Sequence, residues 1–417
     1  MKKFKRLMAI MLSAIMMLTL MAGCGSTSGG SSETGTSGEP TDTKHTIAVV
    51  FSNYSATYLA YQNYFDTYLG PEFNCEFMYS EAISETDDVL SFIETAYASG
   101  AEAVIDFATN SEDTIEPKVA KCAEYNMYYA VNFTITETDL SGYPNFVTAS
   151  DVSSTGRHDT FYELTKYALS DGEPHNFVIF TGGAIYGGDG HIKATMGILE
   201  ALSDELGITY EDELYDITQY TSITELNTGC DTKIAIMPLG GSRTDNMYSI
   251  LKDGEYDVVM DVAGLYSDFM TPINDVEEKY NMDIKLFAET SVSDTTLQAF
   301  TSKDSQGNSV LNGSALKNGG AAGLLFAATY NALNGDIDKI KPTDGSILSM
   351  NADLWEVIGL DEYEKAEVID TDGEHWTYTV DDIKDMIYAY NNEVNADYLV
   401  ACGSKSAFDQ VCERNGL

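Results

Sequence analysis

Thr46-Ile-Ala-Val-Val-Phe-Ser52 decides the fold. Five consecutive apolar residues are too few for a core helix and too continuous for a strand with one wet face. They predict a strand buried on both faces, as in parallel sheets. Working outward, a polar loop leads to a helix over 58–69 and a second strand over 73–79. Ser84-x-x-Asp87 predicts a capping box opening a helix that carries Val89, Leu90, Ile93, Ala96 and Tyr97 and stops at Gly100. Strands follow over 103–107, 127–133 and 145–149, with Pro117 in the first turn of the intervening helix. Beyond them come a helix over 154–169, a strand over 176–181, the Gly-rich loop 182–190, and a helix closed by Gly207. Further strands are predicted over 213–219, 257–262 and 284–288. Helices over 244–252 and 267–280 separate them, and a small-residue helix over 321–333 ends at Asn334-Gly335. This alternation predicts an α/β protein. Its units exceed one sheet, so the fold class is two doubly wound parallel-sheet lobes joined by a hinge. Ligands of such sheets bind at the carboxyl ends of strands. Here those ends are 52–58, 107–110, 132–134, 182–191, 261–266 and 289–291.

Composition narrows the function. The chain has 417 residues, 44% of them hydrophobic and 21% charged, which is ordinary for a folded protein. The charge balance is not: 23 Lys+Arg face 66 Asp+Glu, a net charge of −43. Such a surface repels phosphate backbones and anionic lipid, so nucleic acid is excluded as a partner and charge does not bind the body to a membrane. Tyr is over-used, at 27 against 17 Phe. Amphipathic packing and ligand-stacking rings both fit that excess.

Motifs for chemistry are scarce. The 182–190 loop lacks the Gly-Lys-Ser/Thr ending of a phosphate loop and the G-x-G-x-x-G spacing, so its glycines point to close approach of a ligand or of the other lobe. No G-x-S-x-G is present. The five His form no i, i+4 pair, and only His191 falls at an expected cleft edge. Asp370-Thr-Asp372-Gly373 has its Gly too early for a calcium loop and reads as a turn. No carboxylate dyad stands out from so acidic a chain, and no metal or cofactor is implied. Beyond the first Cys, five remain: Cys75, Cys122, Cys230, Cys402 and Cys412. An odd number with no CxxC indicates buried thiols rather than a disulfide framework, with one or two bridges left open.

The start of the chain is an address. A basic stretch, Met1 to Arg6, precedes an apolar run over 7–20 that is short for a membrane span, and then Met21-Ala-Gly-Cys24. This resembles the lipobox of bacterial lipoproteins, with Met where Leu is usual, and implies lipidation of Cys24. On this reading 1–23 is a signal peptide. Residues 24–44, rich in Ser, Thr and Gly, form a flexible tether with a span of roughly 25 Å. The folded body is then extracytoplasmic, held to the cell membrane by the lipid alone.

Several stretches together resemble the periplasmic-binding-protein class I family, the sugar-type solute-binding proteins of ABC importers. They are Ile47-Ala-Val-Val-Phe-Ser-Asn53, Ala101-Glu-Ala-Val-Ile-Asp106, Asn145-Phe-Val-Thr-Ala-Ser-Asp151, Phe177-Val-Ile-Phe-Thr-Gly-Gly183, Met196-Gly-Ile-Leu-Glu-Ala201 and Tyr256-Asp-Val-Val-Met-Asp261, followed by 323–336. The resemblance covers about 44–336. It implies the type I periplasmic-binding-protein fold, with two lobes joined by three crossings. Lobe 1 is 45–152 with about 317–345; lobe 2 is 153–316 with about 346–417, which includes a C-terminal extension longer than the family tail. It implies a monomeric receptor, not an enzyme, that captures a small organic ligand, a sugar first, and delivers it to the transmembrane subunits of an ABC permease. Asp261-Val-Ala-Gly264 is also similar to the nucleoside-binding lipoproteins of the same superfamily, which keeps a nucleoside as an alternative. A receptor for a membrane kinase and, further off, an exported α/β enzyme remain open.

Carried onto this chain, the family's stacking aromatic falls at Tyr58. Its Asp-Arg pair falls at Asn132-Phe133, and its second-lobe Arg at Ala194, next to Lys193 and His191. Its Asn-Asp falls near Ala263-Gly264, and its final Asp near Glu289. The charged sugar-gripping set is thus expected to be largely missing, leaving specificity to neutral polar and aromatic groups. The ligand-binding residues expected are Asn53, Tyr58, Asn110, Asn132, Phe133, Tyr186, His191, Asp261, Tyr266 and Glu289.

Overall fold

The structure is a computed structural model, and it describes residues 43–109, 111–152, 154–186 and 189–417. The expected signal peptide, Cys24 and all but the end of the tether lie outside the described residues. Among those described, no helix is long and apolar enough to cross a membrane.

Two sheets organise the body. The first holds β1 (His45–Val50), β2 (Cys75–Tyr79), β3 (Ala103–Asp106), β4 (Tyr128–Val131) and β5 (Phe146–Ala149), all parallel, in the order β2-β1-β3-β4-β5. Helix α1 (Ala56–Asn63) follows β1 and runs on through a π-helical turn, Tyr64–Leu69. The second sheet holds β6 (Phe177–Thr181), β7 (Thr224–Glu225), β8 (Ile234–Pro238), β9 (Val258–Asp261), β10 (Lys285–Ser291), β11 (Gly313–Lys317) and β12 (Trp355–Ile358). Its order is β12-β11-β10-β9-β6-β8-β7, with only the edge strands β7 and β12 antiparallel. The parallel strands of the two sheets therefore share one winding order, reversing between β1 and β3 and again between β6 and β9. Such reversals open crevices at the carboxyl ends of the strands. β3, β6, β8 and β9 are buried at every residue, which is why they read as unbroken apolar runs.

The second lobe is entered by α2 (Ser154–Ala168), which packs tightly on α3 (Asp189–Leu206). A Cβ at Gly197 would lie 2.2 Å from the His158 carbonyl oxygen, and one at Gly190 would lie 2.9 Å from Arg157 Nη1. The glycines in and just after the Gly-rich loop thus admit a neighbouring helix and the Arg157 side chain. Later come α4 (Asp294–Thr301) and, back in the first lobe, α5 (Gly320–Leu333), which is buried along nearly its whole length.

Local readings need three corrections. The stretch expected as a strand over 213–219 is a short helix, Leu214–Thr218, whose Ile217 and Thr218 are buried. The capping box at Ser84-x-x-Asp87 does not form: Glu85 is the cap residue and makes no side-chain cap bond. β8, β11 and β12 join the sheet without having been expected. The five described cysteines are free thiols, four of them buried, and burial pushes Cys75 up to about 12.

The C-terminal segment overturns the expectation that 346–417 belongs wholly to lobe 2. β12, the helix Gly359–Val368 and the helix Phe408–Asn415 do supply that lobe's core, through Trp355, Tyr363 and Val411. Residues 376–403 return to lobe 1. Trp376 stacks on Tyr68 at 4.4 Å, Tyr64 donates to the Tyr378 carbonyl, and Ile383, Ile387 and Leu399 enter the first-lobe core. The aromatic face of 64–69 supplies the physical reason, because it needs an apolar cover that the first 150 residues do not provide. The chain therefore crosses between lobes five times, near 150–153, 318–319, 351–354, 370–375 and 404–407, rather than three.

The Tyr excess finds a use beyond packing. With few cations to meet 66 acids, tyrosine hydroxyls donate to carboxylates: Tyr79 to Asp66, Tyr143 to Glu116, Tyr162 to Asp204, Tyr398 to Asp385.

Candidate functional site

Ser52-Asn53-Tyr54-Ser55 turns the chain from β1 into α1. The Asn53 side-chain oxygen accepts from Ser55 N at 2.8 Å, and Ser55 caps the helix by accepting from Tyr58 N. This fixes Tyr58 over the ends of β1 and β3. Its hydroxyl donates to the Phe107 carbonyl at 2.9 Å, and its ring stacks on Phe51 at 4.9 Å. The Phe107 loop is held in turn by fully buried Asp106, which accepts from Ala108 N, Thr109, Lys118 and Tyr129. Asn132, past β4, donates to the Ser150 carbonyl at 2.7 Å.

These groups wall a cavity of about 290 Å³. It is lined by Asn53, Ser55, Tyr58, Tyr61 and Asn132 from lobe 1, and by Asp151, Val152, Lys317, Asn318 and Ala352 from three of the crossings. Arg157, Ser291 and Ala321 complete the lining. A second cavity of about 310 Å³ lies at the ends of β9, β10 and β11, between Ala263, Gly264, Tyr266, Ser267, Glu289–Ser291, Ser293, Thr295, Thr296 and Lys317. Ser291 and Lys317 line both.

Where the cavities adjoin stands a charge cluster in which the expected Glu289 meets two cations that the sequence reading missed, Arg157 and Lys317. Glu289 accepts from Arg157 Nε at 3.1 Å and from Lys317 Nζ at 2.8 Å. Burial alone would raise the Glu289 carboxyl, but Arg157 and Lys317 outweigh it and hold the group well below the usual carboxylate range. Arg157 also donates to the Val152 carbonyl at 3.3 Å. Burial opposes its charge too, and Glu289 and Asp151 more than restore it. The Asp151 carboxylate has no hydrogen-bond partner among the described residues. The expectation that the charged set is largely missing, with specificity left to neutral polar and aromatic groups, is therefore corrected: an arginine reaches the cleft wall, from the first turn of α2 rather than from α3. One signal was legible, since Arg157 is one of only four arginines in the chain.

The structure brings Asn53, Tyr58 and Asn132 to the first cavity, and Tyr266 and Glu289 to the second. Two expected residues play other parts. Phe133 packs partly buried against the outer core of lobe 1. Asp261 is fully buried and accepts from the backbone of Ala263, Gly264 and Leu265, so it shapes the loop that carries Tyr266. Burial pushes its carboxyl up to about 7. His191 lies largely buried behind the cluster, and burial, Arg157 and Lys317 favour its neutral form. Asn110 and the Tyr186 side chain lie outside the described residues.

Elsewhere, Asp370-Thr-Asp372 is a turn whose carboxylates accept from Thr377 and from Glu374 and His375. Glu277, Asp283 and Asp304 bring carboxylate oxygens within 4.8 Å of one another on the far flank of lobe 2, where Glu277 accepts from Ile284 N.

No family model matches the chain, and no curated protein matches it. Solved structures do. The arabinose transporter's periplasmic binding protein from Shewanella sp. ANA-3 matches with a TM-score of 0.52 at 11% identity, covering 77% of this chain and 95% of its own. An arabinose binding protein from Geobacillus stearothermophilus gives 0.53 at 11%, covering 78% and 99%. A galactofuranose binding protein gives 0.50 at 13%, covering 78% and 98%. The chain has the two-lobed fold of the type I periplasmic binding proteins.

Proposed function

We propose that the protein is an extracytoplasmic receptor that captures a sugar between its lobes and hands it to an ABC permease, with a diacylglyceryl group on Cys24 holding it to the membrane. The observation that carries this reading is the cavity at the interlobe crossings. It combines a tyrosine ring, amide groups and a charged hydrogen-bonding cluster at the strand ends of both sheets. Aromatic surface with a few convergent polar groups suits a polyol with apolar ring faces. The structures of like fold bind arabinose or galactofuranose.

Binding rather than catalysis is favoured by the state of the one buried carboxylate in the cleft wall. Glu289, held ionised by two cations, has no proton to give near neutral pH and little affinity for one.

Thermal unfolding in the presence of a sugar panel tests the reading. A ligand at about 100 times its Kd should add roughly 2.7 kcal/mol. Absence of any stabilisation by sugars, with the fold intact, refutes it. Copurification of a permease with the lipidated full chain tests the delivery step.

A further inference from the structure

Each cavity is of single-ring size, at the small end of the range for ligand pockets, and the two adjoin. Ser291 and Lys317 line both. Their chemistries differ. The first offers the Tyr58 ring and the Asp151 carboxylate, an acceptor without a protein partner among the described residues. The second is lined by hydroxyls. Thr290 bonds Ser314, and Ser293 bonds Thr296. The hydroxyls of Ser267, Ser291 and Thr295 have no partner among the described residues, and Ser267 and Thr295 are solvent-exposed. A hydroxyl both donates and accepts, so such a wall suits a second ring of alternating hydroxyl groups. The ionised groups where the cavities adjoin balance only when Asp151 is counted: Glu289 bonds Arg157 and Lys317, and the Asp151 charge also acts on Arg157, so two carboxylates face two cations. Nothing in the second cavity therefore calls for a charged ligand.

We propose that the ligand is a neutral polyol two rings long, a disaccharide or a glycoside of that length. One ring lies beside Tyr58 and the other lies among Ser267, Ser291 and Thr295. This rests on the sugar-receptor reading above and specifies its substrate class. A single ring fills one cavity and leaves the partnerless hydroxyls of the other to water.

Calorimetric titration of the mature chain with arabinose, galactose, glucose and myo-inositol, and with maltose, cellobiose, lactose, sucrose and methyl glycosides, tests the proposal. The expected result is at least one two-ring ligand bound tenfold or more tightly than either of its single rings. Thr295→Trp and, independently, Ser267→Trp fill the second cavity from exposed positions, so the fold should survive in at least one of them. Either should lower affinity for the two-ring ligand tenfold or more, and by a larger factor than affinity for the single ring. The proposal is overturned if single rings bind as tightly as every two-ring ligand, or if the tryptophan variants weaken both equally. Those outcomes leave the sugar reading standing. Binding of nucleosides with no sugar of either length bound overturns the sugar reading itself.

Discussion

Replacing Arg157 with Met removes one of the two cations on Glu289 while keeping most of the side chain's packing volume. The Glu289 side chain is only 8% exposed, so water cannot replace the lost guanidinium. Stripping one partner from a buried ion pair costs about 3–5 kcal/mol. Lys317 remains at 2.8 Å and is itself 44% exposed, which places the expected loss at the lower end, about 3 kcal/mol. The pH dependence follows from the direction of the Glu289 shift. A carboxyl held below its unfolded value of about 4.3 contributes stability that is fully present above that pH and is lost as pH falls through the folded value. The gap between wild type and R157M should thus be full near pH 8 and narrow as pH falls and Glu289 takes up its proton in the variant before it does in wild type. Urea unfolding of both proteins across that range measures it. In an E289Q background the residue 289 side chain carries no charge to be left uncompensated, so the R157M cost should fall by about 1–3 kcal/mol. An R157M cost below about 0.5 kcal/mol, or one unchanged in the E289Q background, refutes the view that Glu289 depends on this arginine.

Three further outcomes follow from the packing and the remaining charges. Trp376→Ala uncovers Tyr64 and Tyr68 and should cost about 3–5 kcal/mol in urea unfolding, with the loss reported by probes in lobe 1 rather than lobe 2. Gly197→Ala should cost at least about 1–3 kcal/mol by forcing α2 off α3, read as a lowered unfolding midpoint. Burial, with Glu163 and Glu362 nearby, pushes Glu356 up to about 7. A raised carboxyl favours the fold below its unfolded value and loses that benefit as pH rises through 7, so Glu356→Gln should raise the melting temperature at pH 8 and leave it nearly unchanged at pH 4.

The fold was legible where burial leaves its mark on one strand at a time. β1, β3, β6 and β9 are apolar runs because helices cover both faces of their sheets. β11 shows no such run: Gly-Ser-Ala-Leu-Lys is small and polar, and Gly313 is required because a Cβ there would meet Phe287 and Ile358 at about 3 Å. Lys317, at the end of that strand, was hidden with it. Arg157 was obscured for a different reason. The resemblance directed attention to α3, and only the α2–α3 contact through Gly190 shows that the neighbouring helix can deliver a guanidinium to the same place. Apolar burial has no direction, so the sequence of the C-terminal extension could not assign its helices to a lobe.

The extra crossings also change what the binding cavity is made of. Crossings one and three are bonded side by side, with Met350 donating to Ala149 and Ala352 to Asp151. Crossing four is tied to crossing two through the buried Asp370, which accepts from Thr377 and from the Gly319 backbone; a Cβ at Gly319 would lie 2.1 Å from its carboxylate. Crossing five is tied to crossing three, where Asp353 donates to the Ser406 hydroxyl and Trp355 to its carbonyl. Asn318 on crossing two donates to the Asp353 carbonyl on crossing three, so all five crossings form one stitched band. Asp151, Lys317, Asn318 and Ala352 are at once parts of that band and walls of the cavity. A rotation of one lobe against the other has to be absorbed in residues that line this cavity, so on the proposed receptor reading contact with Asp151 or Lys317 bears on the hinge itself. On the proposed receptor reading, lobe angle and ligand contact would be set by a single group of side chains that the C-terminal extension helps to tie together.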